Sequence, residues 1–185
     1  MKRAVFLDRD GTVNIDKDYI FKVEQFEFIP GAIAALKRLQ DAGFLLVVVT
    51  NQSGVGRGYY KEEDYLALDA HMKEALAKEG VRLAGTYACF HHVEGNPPYN
   101  VPCDCRKPQP GMLLAAQKEL KIDMKHSYLV GDKWADIQAG IKAGLPPSHC
   151  LLVQTGKAGS DAKGPVMGAL LKDITHAADY ILENA

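Results

Sequence analysis

The chain lacks an excess of either charge: 22 lysines and arginines face 23 aspartates and glutamates, a formal net charge of −1 over 185 residues. That balance excludes binding driven by a global basic field, so neither nucleic acid nor an anionic membrane surface is an expected partner. Long apolar runs are missing too. Residues 44–49 form one of the longest, far too short to cross a bilayer. Lys2 and Arg3 open onto a short apolar run like the start of a secretory leader, but Asp8 and Asp10 interrupt it before an h-region can form. A cytoplasmic protein is expected. There is no internal repeat, low-complexity tract or linker, so one domain spanning residues 1–185 is expected, with a core large enough for independent stability. Two nucleotide-binding signatures are absent as well. No G-x-x-x-x-G-K-[ST] occurs, and Gly54, Gly56 and Gly58 do not have the spacing or placement of the dinucleotide fingerprint.

Cysteine is scarce, with four in all, and unevenly spread. Cys89, Cys103 and Cys105 fall within 17 residues beside His91 and His92, whereas Cys150 sits alone in an apolar run and reads as core. In a reducing compartment such bunching points to a metal rather than to disulfides. The pattern C-x-H-x11-C-x-C offers three thiolates and an imidazole, a closed tetrahedral set suited to structural Zn²⁺. On the residues alone His92 competes with His91 for the fourth position. The loop is otherwise rich in turn residues (Gly95, Pro97, Pro98, Pro102), so a metal would pin it. Because Cys105 directly precedes Arg106 and Lys107, pinning would deliver two cations to one place. A zinc-finger DNA reader is disfavoured, because no Lys/Arg-rich helix follows.

The remainder alternates strand and helix. Residues 3–7 read as a buried strand and 44–49 as a parallel strand covered on both faces, rich in β-branched side chains. Helices are expected at 32–42, 62–79, 111–120 and 135–143, and further strands at 83–89, 127–130 and 150–153. The acidic first turn Glu62, Glu63, Asp64 suits the positive end of a helix dipole. Residues 177–185 read as a last strand. The alternation implies an α/β fold with a doubly wound parallel sheet. Segments 14–28 and 91–110 break the rhythm, and both would emerge beyond carboxyl ends of strands, where functional loops lie in such sheets.

The chemistry-bearing residues fall at those strand ends. Asp8 and Asp10 are two apart on or just after the first strand, so both carboxylates can face one site. Such a pair meets two needs of phosphoryl transfer, an anionic nucleophile and a separate proton donor. Gly11 lets the backbone turn after them. Thr50, Asn51, Gln52 and Ser53 end the second strand as a cluster of donors for phosphate oxygens. Lys107 offers a fixed positive charge, and Asp132, with Asp136 four residues on, offers carboxylates for a metal. Singly, each has an ordinary reading: a turn, a helix cap, a solvated lysine. Together and in order they do not.

This ordered set, Asp8-x-Asp10-Gly11-Thr12, Thr50, Lys107 and Asp132 with Asp136, resembles the haloacid-dehalogenase (HAD) superfamily over nearly the full chain. The resemblance implies a HAD-like, Rossmann-like sheet. No large cap domain fits between Thr12 and Thr50 or between Thr50 and Lys107. It implies that Asp8 attacks phosphorus and that Asp10 serves as general acid and then as base. Mg²⁺ would be bound by Asp8, Asp132 and the backbone carbonyl of Asp10, and Thr50 and Lys107 would hold the transferring group. It also prefers His91 over His92 in a Cys89, His91, Cys103, Cys105 zinc set.

Within the superfamily the zinc loop is similar to two groups, the heptose-1,7-bisphosphate and the histidinol-phosphate phosphatases. Segments 16–19, 50–58 and 106–112 look more like the former. The implied substrate is a small sugar bisphosphate, D-glycero-D-manno-heptose 1,7-bisphosphate, cleaved at C7 on the route to nucleotide-activated heptose for bacterial surface glycans. The alternatives are histidinol phosphate or a broad range of sugar phosphates. From another class, a catalytically silent phosphate-binding scaffold also competes. Arg106 is the candidate for the distal phosphate, since a guanidinium fork suits phosphate oxygens. Asp16 and Tyr19 are candidates for sugar hydroxyls, and a monomer is expected. Asp18, where many relatives have Gly, and Trp134, where smaller residues are common, depart from the pattern.

Overall fold

All four side chains of β1 (Ala4–Leu7) are buried, which a strand achieves only when both its faces are covered. The computed structural model describes residues 1–157 and 168–185 and supplies that cover. Strands β2 (Leu45–Asn51), β3 (Gly85–Cys89), β4 (Tyr128–Gly131), β5 (Cys150–Val153) and β6 (Leu170–Leu171) join β1 in one parallel sheet of order β3-β2-β1-β4-β5-β6. The period-2 geometry of strands sorts the apolar residues into two layers. Val5, Leu7, Leu46, Val48, Val130 and Leu151 face α1 (Ala32–Asp41), part of α3 (Glu62–Lys78) and α6 (Ile174–Asn184). Ala4, Phe6, Val47, Val49, Leu129 and Leu152 face α4 (Gly111–Leu120) and α5 (Trp134–Lys142). The sheet is thus doubly wound.

Strand and helix limits lie within a residue or two of the sequence reading, with one correction. Residues 177–185 are not a strand but most of α6. The helix starts earlier, at a cap the shorter window omits: the Asp173 carboxylate accepts from the His176 N–H at 3.0 Å. Its buried residues Ile174, Ala177, Ala178 and Ile181 follow helical spacing. Strand β2 also runs past its apolar core to Asn51, because Thr50 and Asn51 still pair with Ala88 and Cys89 of β3.

The strand order reverses direction between β1 and its neighbours β2 and β4, which opens a crevice at their carboxyl ends. Two irregular segments frame it. The first, after β1, is closed on itself by Ile15 N–H donating to Glu27 O (2.8 Å) and Ile29 N–H to Val13 O (2.9 Å). Both meet a short helix, α2 (Ser53–Gly56), through an aromatic cluster in which Val55, Tyr60 and Tyr65 pack with Phe21, Phe90 and Tyr99. Neither segment carries a sheet of its own among the described residues. No described helix is long and apolar enough to cross a membrane.

Leu36, fully buried between α1 and the sheet, should be a main anchor of the first layer. Leu36→Ala is expected to cost about 2–5 kcal/mol of unfolding free energy in urea titration.

Candidate active site

Asp8 follows β1 directly, and its N–H donates to Val130 O of β4 at 3.0 Å. Across the crevice Lys107 is almost fully buried. Its Nζ lies 2.8 Å from Asp8 Oδ1 and 2.6 Å from Asp136 Oδ1, and donates to Val49 O at 2.8 Å. Asn51 sets the lysine's backbone from both sides, accepting from Lys107 N–H (3.0 Å) and donating to Lys107 O (3.1 Å). Asp132 follows β4. Asp136 lies in the first turn of α5, where its Oδ2 accepts from the Lys133 N–H at 3.1 Å. Oxygens of Asp8, Asp132 and Asp136 come within 4.8 Å of one another.

Burial disfavours charge on all three carboxyls, but their partners separate them. The Lys107 ammonium overcomes burial at Asp8 and holds its carboxyl below the usual range. At Asp136 burial and the Asp8 charge prevail over Lys107 and push the group up to about 6. Asp132 is pushed up to about 9 by burial and by Asp8. Lys107 itself is kept protonated, because Asp136 and Asp8 outweigh its burial. Asp132 Oδ2 accepts from the Lys157 N–H at 2.8 Å, while its Oδ1 is buried with no hydrogen-bond partner among the described residues. Three converging carboxylates, one of them with an oxygen that has no hydrogen-bond partner among the described residues, are a donor set suited to a hard divalent cation such as Mg²⁺.

The Asp10 side chain stands apart from this trio. It accepts from Asn14 Nδ2 (2.9 Å), Gln52 Nε2 (3.1 Å) and the guanidinium of buried Arg9 (3.1 Å). Gln52 also donates to Thr50 Oγ1 (2.8 Å) and accepts from the Tyr60 hydroxyl (2.5 Å), so one amide organises three site residues. A cavity of about 160 Å³ opens above them. It is lined by Asp10 and by the six candidate substrate contacts, Asp16, Tyr19, Asn51, Gln52, Ser53 and Arg106. Asp18, on the loop already expected at the pocket, lines it too, and so do Tyr60, Lys133 and Lys157, which the sequence did not point to. Arg106 Nη1 is buried without a hydrogen-bond partner among the described residues. A larger hollow of about 620 Å³ opens beside Tyr60, among Phe21, Tyr59 and Glu62, but Asp8, Asp10, Asp132 and Asp136 are not among its lining residues. Chemistry, not size, marks the site.

The cysteine cluster sits at the end of β3. Cys89 Sγ lies 3.7 Å from His91 Nδ1 and from Cys103 Sγ, and His91 Nδ1 lies 3.3 Å from Cys105 Sγ. Ligands of a tetrahedral zinc stand roughly 3.5–3.8 Å apart, so these spacings fit, although Cys105 and Cys89 approach more closely, at 2.7 Å. His91 joins the group. His92 faces Arg57, 2.8 Å away.

Sheet order and carboxylate–lysine arrangement define a HAD-like phosphatase, and a HAD-hydrolase-like family profile matches residues 104–184. The D-glycero-beta-D-manno-heptose-1,7-bisphosphate 7-phosphatase of Pasteurella multocida is 48% identical over 184 residues, covering 100% of this chain and 93% of that one. Its Escherichia coli K12 counterpart is 44% identical, covering 98% and 88%. The crystal structure of the D,D-heptose 1,7-bisphosphate phosphatase from B. bronchiseptica, complexed with magnesium and phosphate, superposes with a TM-score of 0.85 at 32% identity, covering 99% of each chain. The chain belongs to the HAD-like hydrolases and, among them, to the D-glycero-D-manno-heptose-1,7-bisphosphate 7-phosphatase family.

A side chain at Gly156 would meet Asp132 Oδ2 at 2.1 Å and Gly11 Cα at 2.8 Å. Gly156→Ala should therefore displace Asp132 and weaken Mg²⁺ binding by about 10-fold or more, measured by titration calorimetry.

Proposed function

We propose that the chain is one phosphatase domain that removes the C7 phosphate of D-glycero-D-manno-heptose 1,7-bisphosphate through an aspartyl-phosphate at Asp8, leaving the 1-phosphate. The observation that carries this reading is the Asp8 carboxylate, kept ionised by a buried lysine beside a cluster of carboxylates suited to a divalent cation. The substrate is supported by the full-length similarity to phosphatases of that name.

In this mechanism Asp8 attacks phosphorus while Asp10 gives its proton to the departing C7 oxygen. Asp10 then takes a proton from water, whose oxygen attacks the phosphorus and releases the Asp8 carboxylate. Splitting the displacement in two lowers each barrier. Lys107 and Thr50 hold the transferring group, and Lys107 reduces the repulsion between Asp8 and an anionic phosphate. Mg²⁺, held by Asp8, Asp132 and the Asp10 carbonyl, would neutralise charge on the phosphoryl oxygens. Arg106, with its unpartnered Nη1, is the choice for the 1-phosphate. Zn²⁺ in the Cys89, His91, Cys103, Cys105 group would fix the loop that carries Arg106 and Lys107. We place the reaction in the cytoplasm, where thiols stay reduced, on the route to nucleotide-activated heptose for surface glycans.

Phosphate release with Mg²⁺ from heptose 1,7-bisphosphate, histidinol phosphate and fructose 1,6-bisphosphate should favour the first. A preference for histidinol phosphate overturns the substrate and leaves the chemistry standing. Asp8→Asn should abolish turnover, and Asp10→Asn should slow it by about 10²–10⁴-fold.

Purified protein should carry one zinc per chain by atomic emission. Cys105→Ser should lose it and lower kcat/KM, since Arg106 and Lys107 follow that ligand directly.

A further inference from the structure

Residues 155–157 bind the floor of the site and its rim at once. The Thr155 hydroxyl donates to Gly11 O at 2.8 Å, and the Lys157 N–H donates to Asp132 Oδ2 at 2.8 Å. The Lys157 side chain reaches the other way, toward the loop after β1. Its ammonium pairs with Asp18 and lies 3.7 Å from Asp16 Oδ2.

The base of that loop is closed by its own backbone hydrogen bonds, but its tip at residues 16–19 is held differently. Asp18 and Tyr19 both lie in the left-handed region, with φ of 57° and 51°, a conformation sparsely populated by residues other than glycine. Such a backbone persists where its surroundings over-determine it. Among the described residues the ties of the tip are these: Asp18 N–H donates to Asp16 Oδ1 at 3.0 Å, Lys17 pairs with Glu27 at 3.0 Å on the exposed side, Tyr19 packs edge-on against Tyr59, and Lys157 grips the Asp16 and Asp18 carboxylates. Asp16, Asp18, Tyr19 and Lys157 all line the same cavity as Asp10 and Arg106.

We propose that Lys157 is a positioning residue whose ammonium latches residues 16–19 across the cavity, so that Asp16 and Tyr19 meet the sugar end of the substrate rather than the transferring phosphate. This rests on the sugar-bisphosphate reading above. A latch of this kind acts selectively. A substrate large enough to reach the rim depends on it, while a small phosphoryl donor seated on the floor depends on it less.

The test compares Lys157→Ala, Lys157→Arg and Asp18→Asn on heptose 1,7-bisphosphate and on acetyl phosphate. All three variants keep the backbone N–H that serves Asp132. Lys157→Ala should raise KM for the bisphosphate about threefold to fivefold, the scale of an exposed ion pair, with a smaller change in kcat. The loss on acetyl phosphate should be smaller. Asp18→Asn should shift KM in the same direction by less, because Asp16 remains, and Lys157→Arg should stay near the wild type. The inference is overturned if the bisphosphate KM is unmoved by Lys157→Ala, or if both substrates suffer equally. A wild-type protein that hydrolyses acetyl phosphate but ignores the bisphosphate overturns the functional reading and this inference with it. Unaffected variants of an enzyme that does cleave the bisphosphate overturn the inference alone.

Discussion

The site depends on one buried cation. Taking a lysine out of water costs several kcal/mol unless its charge is met in place. Lys107 is met by Asp8, Asp136 and the Val49 carbonyl. The arrangement works in both directions. The carboxylates keep the lysine charged, and the lysine keeps Asp8 ionised in a place where burial alone would protonate it. Among the described residues it also leaves Asp132 as the member of the trio without a cationic side-chain partner, which is why a divalent ion suits the gap.

What holds the lysine there comes from two distant parts of the chain. Asn51, at the end of β2, fixes its backbone from both sides. The cysteine cluster gathers the loop just before it, with Cys105 two residues away. Strand end, loop and lysine therefore form a continuous series of covalent and hydrogen-bonded links from the end of β3 to Asp8. Gln52 plays a similar part for Asp10, turning a flexible amide into a fixed bridge between Thr50 and Tyr60.

Much of this was legible in the sequence because strands place function at their ends. A buried strand announces itself by composition, and polar residues just past it have few places to go but the crevice. Asp8, Thr50 and Asp132 could be located this way, and the carboxylate pair and the C-x-H-x11-C-x-C pattern carried their chemistry in their spacing. Residues that reach the site from elsewhere were illegible. Lys157 follows β5 and Tyr60 precedes α3 with no local signal. Arg9 and Asn14 act by satisfying Asp10 rather than by any motif. The choice between His91 and His92 had no local answer either, since adjacent residues point different ways and only the turn after β3 decides. The carboxyl-terminal helix was misread for a narrower reason: the stretch considered began after Asp173, so its apolar stripe lost both its cap and its first member, Ile174.

Around Asp132 the backbone itself forms the wall. Gly11, at φ 89°, and Gly156 approach so closely that a methyl group on either would strike the Asp132 carboxylate. Two stretches of bare main chain, one from each end of the molecule, thus act as calipers on a single acidic oxygen. That flank of Asp132 is bounded by main chain, which substitution can crowd but not reshape freely, whereas the outer edge is lined by the side chains of Asp16, Asp18, Tyr19 and Lys157.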